Sequence, residues 1–497
     1  MTTSQPDHIP FSFARRHGVL FDGIHEGKAK IIYRGQPTLT VFNELRRFFN
    51  LPLHLENTDD EHFEKLLVKR YETDSNVAMQ MAEDLGESMG LSDLIHDMPK
   101  AEDLLESQDD APIIRLLNAL LGEAIREGAS DIHIETFEDR ISIRFRIDGL
   151  LHEVLEPQRV IAPLIVSRIK VMAKLDIAEK RLPQDGRITL RIGGRAVDVR
   201  VSTLPTSHGE RIVLRLLDKQ SAHLDLTDLG MPSHTLQLME KLIAAPHGII
   251  LVTGPTGSGK TTTLYAALTA LNNKTRNILT VEDPIEYDLP GVGQTQVNHK
   301  VEMTFAKGLR SILRQDPDVV MVGEIRDAET AQIAIQASLT GHLVLSTLHT
   351  NSAIGAITRL DDMNIELFLL ASSLIGVLAQ RLVRRLCDHC KEAVTATPKE
   401  CEKLNIDLSK QAAPTIFHPK GCARCRNMGY SGRTGIYELI CIDDTLRQMI
   451  HDHASEMTMR EYARTLYPTI REDGSRRVLS GETSLEEILR VTADSGG

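Results

Sequence analysis

The run Gly254-Pro255-Thr256-Gly257-Ser258-Gly259-Lys260-Thr261 constrains this chain more than any other stretch. It matches G-x-x-x-x-G-K-[ST] in full, and its surroundings suit it. The apolar block Gly248 to Thr253 precedes it and reads as a buried strand, while Thr262 to Leu271 follows and reads as a helix. In such a strand–loop–helix unit the glycines turn backbone N–H groups toward phosphate oxygens, and the helix start adds its positive end. Lys260 is expected to reach the β- and γ-phosphates of a nucleotide, and the Thr261 hydroxyl to hold Mg²⁺. A Gly-rich turn with a chance lysine would not carry the flanking strand and helix.

Three more strand ends carry chemistry. Asn277 to Val281 runs into Glu282-Asp283-Pro284, with Glu286 beyond. A carboxylate at the C-terminal end of a strand beside the phosphate loop orients water or helps hold Mg²⁺, and Glu282 is the candidate for the water. Asp318 to Val322 is followed by Gly323-Glu324, the Walker B arrangement, which puts Glu324 near Mg²⁺. Gly341 to Thr350 places His349 just past a buried strand, within range of a γ-phosphate. Singly, such a histidine is a structural residue and such an acid a cap. In parallel-sheet order after a phosphate loop they read together as an ATPase site.

The chain has 497 residues, enough for about three domains at ~150 residues each. Residues 1–72 read as a small N-terminal docking domain, with a helix from Asp59 carrying Phe63, Leu66, Leu67 and Tyr71; Phe11 and Phe13 read as core. Residues 73–110 read as short helices and an acidic tether. Residues 111–220 read as an α+β domain: a helix capped by Asp110 and stopped by Gly128, three strands, a helix over Ala162 to Lys180, and a hairpin turning at Gly193-Gly194. Alternation in that hairpin puts Asp198 and Arg200 opposite Val197, Val199 and Val201; Arg211 and Arg215 fall on the next strand. Residues 221–232 read as a flexible linker, 233–380 as the ATPase core, 381–435 as a metal subdomain, and 436–497 as helices ending with a Ser484-x-x-Glu487 capping box.

The metal reading rests on Cys387-x-x-Cys390 and Cys422-x-x-Cys425, two pairs of thiolates that together complete a tetrahedral structural zinc site. The other two of the six cysteines, Cys401 and Cys441, are unpaired. No basic start, apolar leader or long apolar run is seen, so an intracellular protein is expected. The net charge of −12 argues against coating nucleic acid, which needs a basic field, and no nucleic-acid partner is expected.

The stretches Asn277–Asn298, Leu313–Ala331 and Thr340–Asn351 resemble the Asp box, Walker B and His box of the type II/type IV secretion ATPases. Leu182 to Arg187, Ser207 to Arg211 and the four cysteines place the resemblance nearest the type II secretion branch, over about residues 107 to 490. The resemblance implies a RecA-like P-loop ATPase core behind an α+β, PAS-like domain and a small N-terminal domain. It implies a homohexamer on the cytoplasmic face of the bacterial inner membrane that hydrolyses ATP to drive pseudopilus assembly and export. It further implies docking on the cytoplasmic domain of the inner-membrane L component and action on the polytopic F component. The nearest alternative is a type IV pilus extension ATPase. In a ring, Arg200 and Arg215 are expected to serve a neighbour's nucleotide in trans.

Overall fold

The computed structural model describes residues 9, 17–25, 27–35, 37–59, 63, 66, 111–192, 195–218, 225–410 and 412–493. The expected acidic tether, the Asp110 cap, Phe11, Phe13, the Gly193-Gly194 turn and most of the helix from Asp59 lie outside these residues.

The N-terminal module is a three-stranded sheet in the order β1-β2-β3 (Val19–His25, Lys28–Tyr33, Leu53–Asn57) against the helix Leu39–Phe49. Phe21 stacks on Phe49, and Val19, Ile31, Val41 and Leu45 close the core. Phe48 and Leu55 remain exposed.

The second domain follows its sequence reading closely. The helix Ala111–Arg126 precedes β4 (Asp131–Thr136), β5 (Ile141–Ile147) and β6 (Leu150–Leu155). The helix Ala162–Met172 then leads to β7 (Gln184–Ile192), β8 (Arg195–Thr206) and β9 (Gly209–Asp218), all in one antiparallel sheet ordered β6-β5-β4-β9-β8-β7. The expected register of the hairpin holds, with Leu190 opposite Val197 and Ile188 opposite Val199. The helix expected to reach Lys180 stops about two turns early. Lys174 takes a left-handed conformation (φ 58°), and the Leu175 N–H closes on the Lys170 carbonyl at 2.8 Å. The apolar spacing runs on past a backbone that has already turned away.

The third domain holds a seven-stranded sheet ordered β12-β11-β13-β14-β10-β15-β18: β10 Gly248–Thr253, β11 Ile278–Glu282, β12 Gly293–Gln296, β13 Val319–Val322, β14 Leu343–Leu348, β15 Leu374–Leu386 and β18 Tyr430–Cys441. Strands β10, β13 and β14 are near-continuous Ile/Leu/Val runs because both sheet faces are covered. Alternate residues of β10 feed two cores: Ile249 and Leu251 pack into one, Ile250 and Val252 into the other. The pairing of β10, β11, β13 and β14 is parallel throughout, so their C-terminal ends meet at one edge.

Two boundaries differ from the sequence reading. Asp225 and Asp228 cap a short turn in which Leu226 is buried, and Met231 is buried beside it in the nucleotide domain's core. Tyr437 donates to the Leu229 carbonyl at 2.7 Å, so this half of the expected linker is fastened down. Strand β18 runs across the expected boundary at residue 436, and the helices begin where the sequence reads them, at Asp444 behind the Asp443 cap. Between β15 and β18 sits the Cys-rich module, with its own hairpin β16 (Glu392–Thr395) and β17 (Thr415–His418).

Candidate active site

The phosphate loop wraps from β10 to the helix Lys260–Leu271. Gly254 (φ 147°) and Gly259 (φ 87°) are required there: a Cβ on Gly254 would stand 2.3 Å from the Gln380 carbonyl, and one on Gly259 2.8 Å from the Gln380 side chain. Thr256, Gly257, Ser258, Gly259, Lys260, Thr261 and Thr262 line a cavity of about 880 Å³. Gly254 and Pro255 instead offer carbonyls that accept from Lys260 Nζ at 2.8 and 3.1 Å. Burial lowers the Lys260 pKa, and the Glu324 charge opposes this. Ser258 Oγ is buried without a hydrogen-bond partner. An orphaned hydroxyl, a lysine folded onto its own loop and a helix N-terminus make a donor set that fits a nucleotide triphosphate.

Glu324 and His349 line the same cavity. One Glu324 oxygen pairs with Arg326, and the other lies 3.7 Å from His349 Nε2. Burial, then the nearby Lys260 charge, lowers the His349 pKa, which favours its neutral form. Glu324 and Thr261 both bring oxygen atoms to this cavity, the ligand type that Mg²⁺ takes.

Glu282 is the acid expected to orient the water. It also lines the cavity, but the residue is only 2% exposed and its carboxylate is taken. Tyr265 Oη donates to one oxygen; Thr280 Oγ1 at 2.5 Å and Gln294 Nε2 at 3.0 Å donate to the other. A carboxylate with three donors has little lone-pair capacity left for a water. Glu286, four residues on and half-buried, faces the cavity and meets Arg200 at 2.8 Å. Its signal was its place in the same Glu-Asp-Pro-x-Glu turn.

Arg200 and Arg215 were expected at a neighbour's nucleotide. Both line the cavity of the same chain, where the α+β domain packs over the phosphate loop. Arg200 donates to the Ile285 carbonyl at 3.1 Å, and Arg215 to Asp131 at 3.0 Å. The same domain meets the Cys-rich module through Glu127–Arg426 at 2.8 Å and Asp148–Arg433 at 3.5 Å.

The Sγ atoms of Cys387, Cys390, Cys422 and Cys425 all lie within 4.8 Å of one another. Three of the pairs measure 4.0, 3.7 and 3.8 Å. Tetrahedral Zn–S bonds of ~2.3 Å call for an S–S edge of about 3.8 Å, so the thiols fit zinc. For Cys425 burial raises the thiol pKa, but the N–H groups of Cys422 and Gly429 outweigh it and bring it down to about 6.

Among the described residues no helix is long and apolar enough to cross a membrane. The family description "Type II/IV secretion system protein" matches residues 106–490, and a domain of the family "GSPII protein E" matches residues 8–71. Type II secretion system protein E of Pseudomonas aeruginosa is 62% identical over 489 residues, 98% of this chain and 97% of its own. Type II secretion system ATPase E of Vibrio cholerae is 59% identical over the same coverage of 98% and 97%. Among solved structures, the pilus retraction motor PilT with bound ADP superposes with a TM-score of 0.52 at 28% identity, over 76% of this chain and 96% of that one. The ATPase DotB of Legionella pneumophila shares the fold, with a TM-score of 0.57 at 21% identity over 76% and 95%. A phosphate loop facing Glu286 and Glu324, on a fold shared with PilT and DotB, together with the match of the type II secretion proteins E over nearly the whole chain, marks an ATP-hydrolysing enzyme, and the chain belongs to the type II/IV secretion system protein family.

Proposed function

We propose that this chain is the ATPase of a bacterial type II secretion system, hydrolysing MgATP to power pseudopilus assembly and protein export. The observation that carries the chemical part is the single cavity in which the phosphate loop, Glu286, Glu324, His349, Arg200 and Arg215 converge. The secretion part is supported by relatives at 57–62% identity that are named type II secretion system protein E or ATPase E. Lys260 and the loop N–H groups hold the phosphates. Thr261 and Glu324 hold Mg²⁺, which would neutralise charge on the transferred phosphoryl group. Glu286 is the carboxylate placed to orient water, Arg200 and Arg215 supply positive charge, and His349 lies beside Glu324. Zinc held by Cys387, Cys390, Cys422 and Cys425 serves structure.

Phosphate release by the full-length protein tests this. Lys260→Ala should fall to background. Glu324→Gln should keep nucleotide but stall turnover, because it preserves shape and removes charge. Normal rates in Lys260→Ala would falsify the ATPase reading. Mixing Lys260→Ala with Arg200→Ala should restore nothing, since the arginine serves its own chain's loop; recovered activity would return it to a neighbour.

The working form in this proposal is a homohexamer on the cytoplasmic face of the inner membrane. Its first domain, with Phe48 and Leu55 exposed, docks on the cytoplasmic domain of the L component, and the ring acts on the F component. A protein starting at Ala111 should keep ATP binding and leave the membrane fraction of cells containing the L component. Retention there would place the docking site elsewhere.

A further inference from the structure

The buried carboxylate of Glu282 has no part in the chemistry above, yet it anchors a closed polar cluster. Tyr265 comes from the phosphate-loop helix, Thr280 and Glu282 from β11, and Gln294 from the edge strand β12. Beyond their bonds to Glu282, these groups grip the segment between β11 and β12 by its backbone. The Glu286 N–H donates to Tyr265 Oη at 3.3 Å, Gln294 Nε2 donates to the Tyr287 carbonyl at 3.2 Å, and the Leu289 N–H donates to Gln294 Oε1 at 2.6 Å. The Tyr287 ring meets Tyr265 edge-on, with centroids 4.6 Å apart. The segment that carries Glu286 is thus tied at residues 286, 287 and 289 to one core cluster.

We propose that Glu282, Tyr265 and Gln294 are positioning residues, which clamp residues 286–289 so that the Glu286 carboxylate is held at the nucleotide cavity. Glu282 is the hub because its two oxygens accept from Tyr265, Thr280 and Gln294, which fixes the Tyr265 hydroxyl proton on the carboxylate. That leaves the phenol's lone pairs for the Glu286 N–H. Gln294 is oriented in turn: its amide N–H₂ serves Glu282 and Tyr287, which turns its carbonyl to Leu289. The clamp also ties the phosphate-loop helix to the water-orienting turn, so two halves of the site share one anchor. This inference rests on the ATPase reading and on Glu286 facing the water.

Steady-state ATP hydrolysis by full-length variants tests it. Tyr265→Phe removes one oxygen and should lower kcat about tenfold, with KM for MgATP shifted less than about twofold, because geometry is lost and not binding. Gln294→Met should show the same split from a different strand, and it reads the clamp should Tyr265→Phe fail to fold. Glu282→Gln keeps an acceptor for Tyr265 and should retain much more activity than Glu282→Ala. A normal kcat in both Tyr265→Phe and Gln294→Met would overturn the proposal. So would a raised KM at unchanged kcat, which would make the cluster a nucleotide-binding element. Glu282→Gln as inactive as Lys260→Ala would overturn it too, by assigning chemistry to the carboxylate itself. Lys260→Ala separates the two levels: its activity tests the ATPase reading, and that of the clamp variants tests positioning.

Discussion

The nucleotide core and the Cys-rich module share strands β15 and β18 but are held together differently. On the core side, apolar layers cover both faces of a largely parallel sheet, with Leu251, Val320, Val344 and Leu345 fully buried. On the module side, the apolar cluster is small, and it borrows Ile470, Val478, Leu485 and Ile488 from the C-terminal helices. Polar anchors fill the gap. Four thiols converge, Arg384 lies 4.0 Å over the Tyr430 ring, and Arg477 is buried between Asp473 and Glu482. Glu487, fully buried, accepts from Arg384 and Arg490. A scaffold that buries enough carbon is insensitive to ions and pH, whereas a module too small to do so depends on both.

Metal removal should separate the two regions most strongly. Structural zinc contributes folding free energy on the order of 10 kcal/mol. A chelator, or Cys390→Ala, should therefore unfold the 387–430 module while nucleotide binding by the core survives. Hydrogen exchange resolves the two, and equal loss of protection in β10 and β14 would break the distinction. Full-length protein purified without added zinc should carry one zinc per chain by elemental analysis.

Acid should come next. Burial alone would raise the Glu487 pKa, but bonds from Arg490 and Arg384 outweigh it and hold it at about 2. A depressed carboxyl stabilises above its unfolded pKa of about 4.5, and that stability is lost as pH falls toward 2. The shift corresponds to about 3 kcal/mol. Glu487→Gln should remove that much at pH 7 and flatten the module's dependence between pH 4 and pH 2. Denaturant melts at both pH values check this.

Leu345→Ala should cost the core about 3 kcal/mol through its cavity, with no dependence on pH or chelator. A zinc-dependent cost there would blur the contrast. The smallest effect belongs to the seam: Arg426→Ala loses a half-exposed pair with Glu127 and should change stability by less than about 1 kcal/mol.

How much of this was legible depended on whether the cause was local. The phosphate loop, the strand before it and the acids at the ends of β11 and β13 announce themselves, because buried parallel strands must be apolar and their ends must be marked. The four cysteines were equally plain. The partners of Glu282 come from the phosphate-loop helix, its own strand and β12, and spacing reveals a side chain's place on a strand but not what it meets. Lys174 ended a helix without a glycine or proline to signal it. Half of the linker expected from Ser221 to Pro232 proved fastened because Leu226 and Met231 find apolar partners only in three dimensions. The Ser484 capping box formed only in part: Ser484 accepts the Glu487 N–H, but the Glu487 carboxylate goes to two arginines.

Strand β15 passes the phosphate loop at its midpoint, where Ala379 pairs with Thr253, and ends at the first thiol. Its Gln380 presses its carbonyl toward Gly254 and accepts from Thr263 Oγ1 at 2.7 Å, while Cys387 follows the strand's last residue. Seven residues of extended chain span at most about 23 Å, with one irregularity where the pairing to β18 slips between Arg384 and Leu386. Mechanically it is a tie-rod. A change in the length of that stretch would have to be absorbed at the phosphate loop or at the first thiol, the two points it joins.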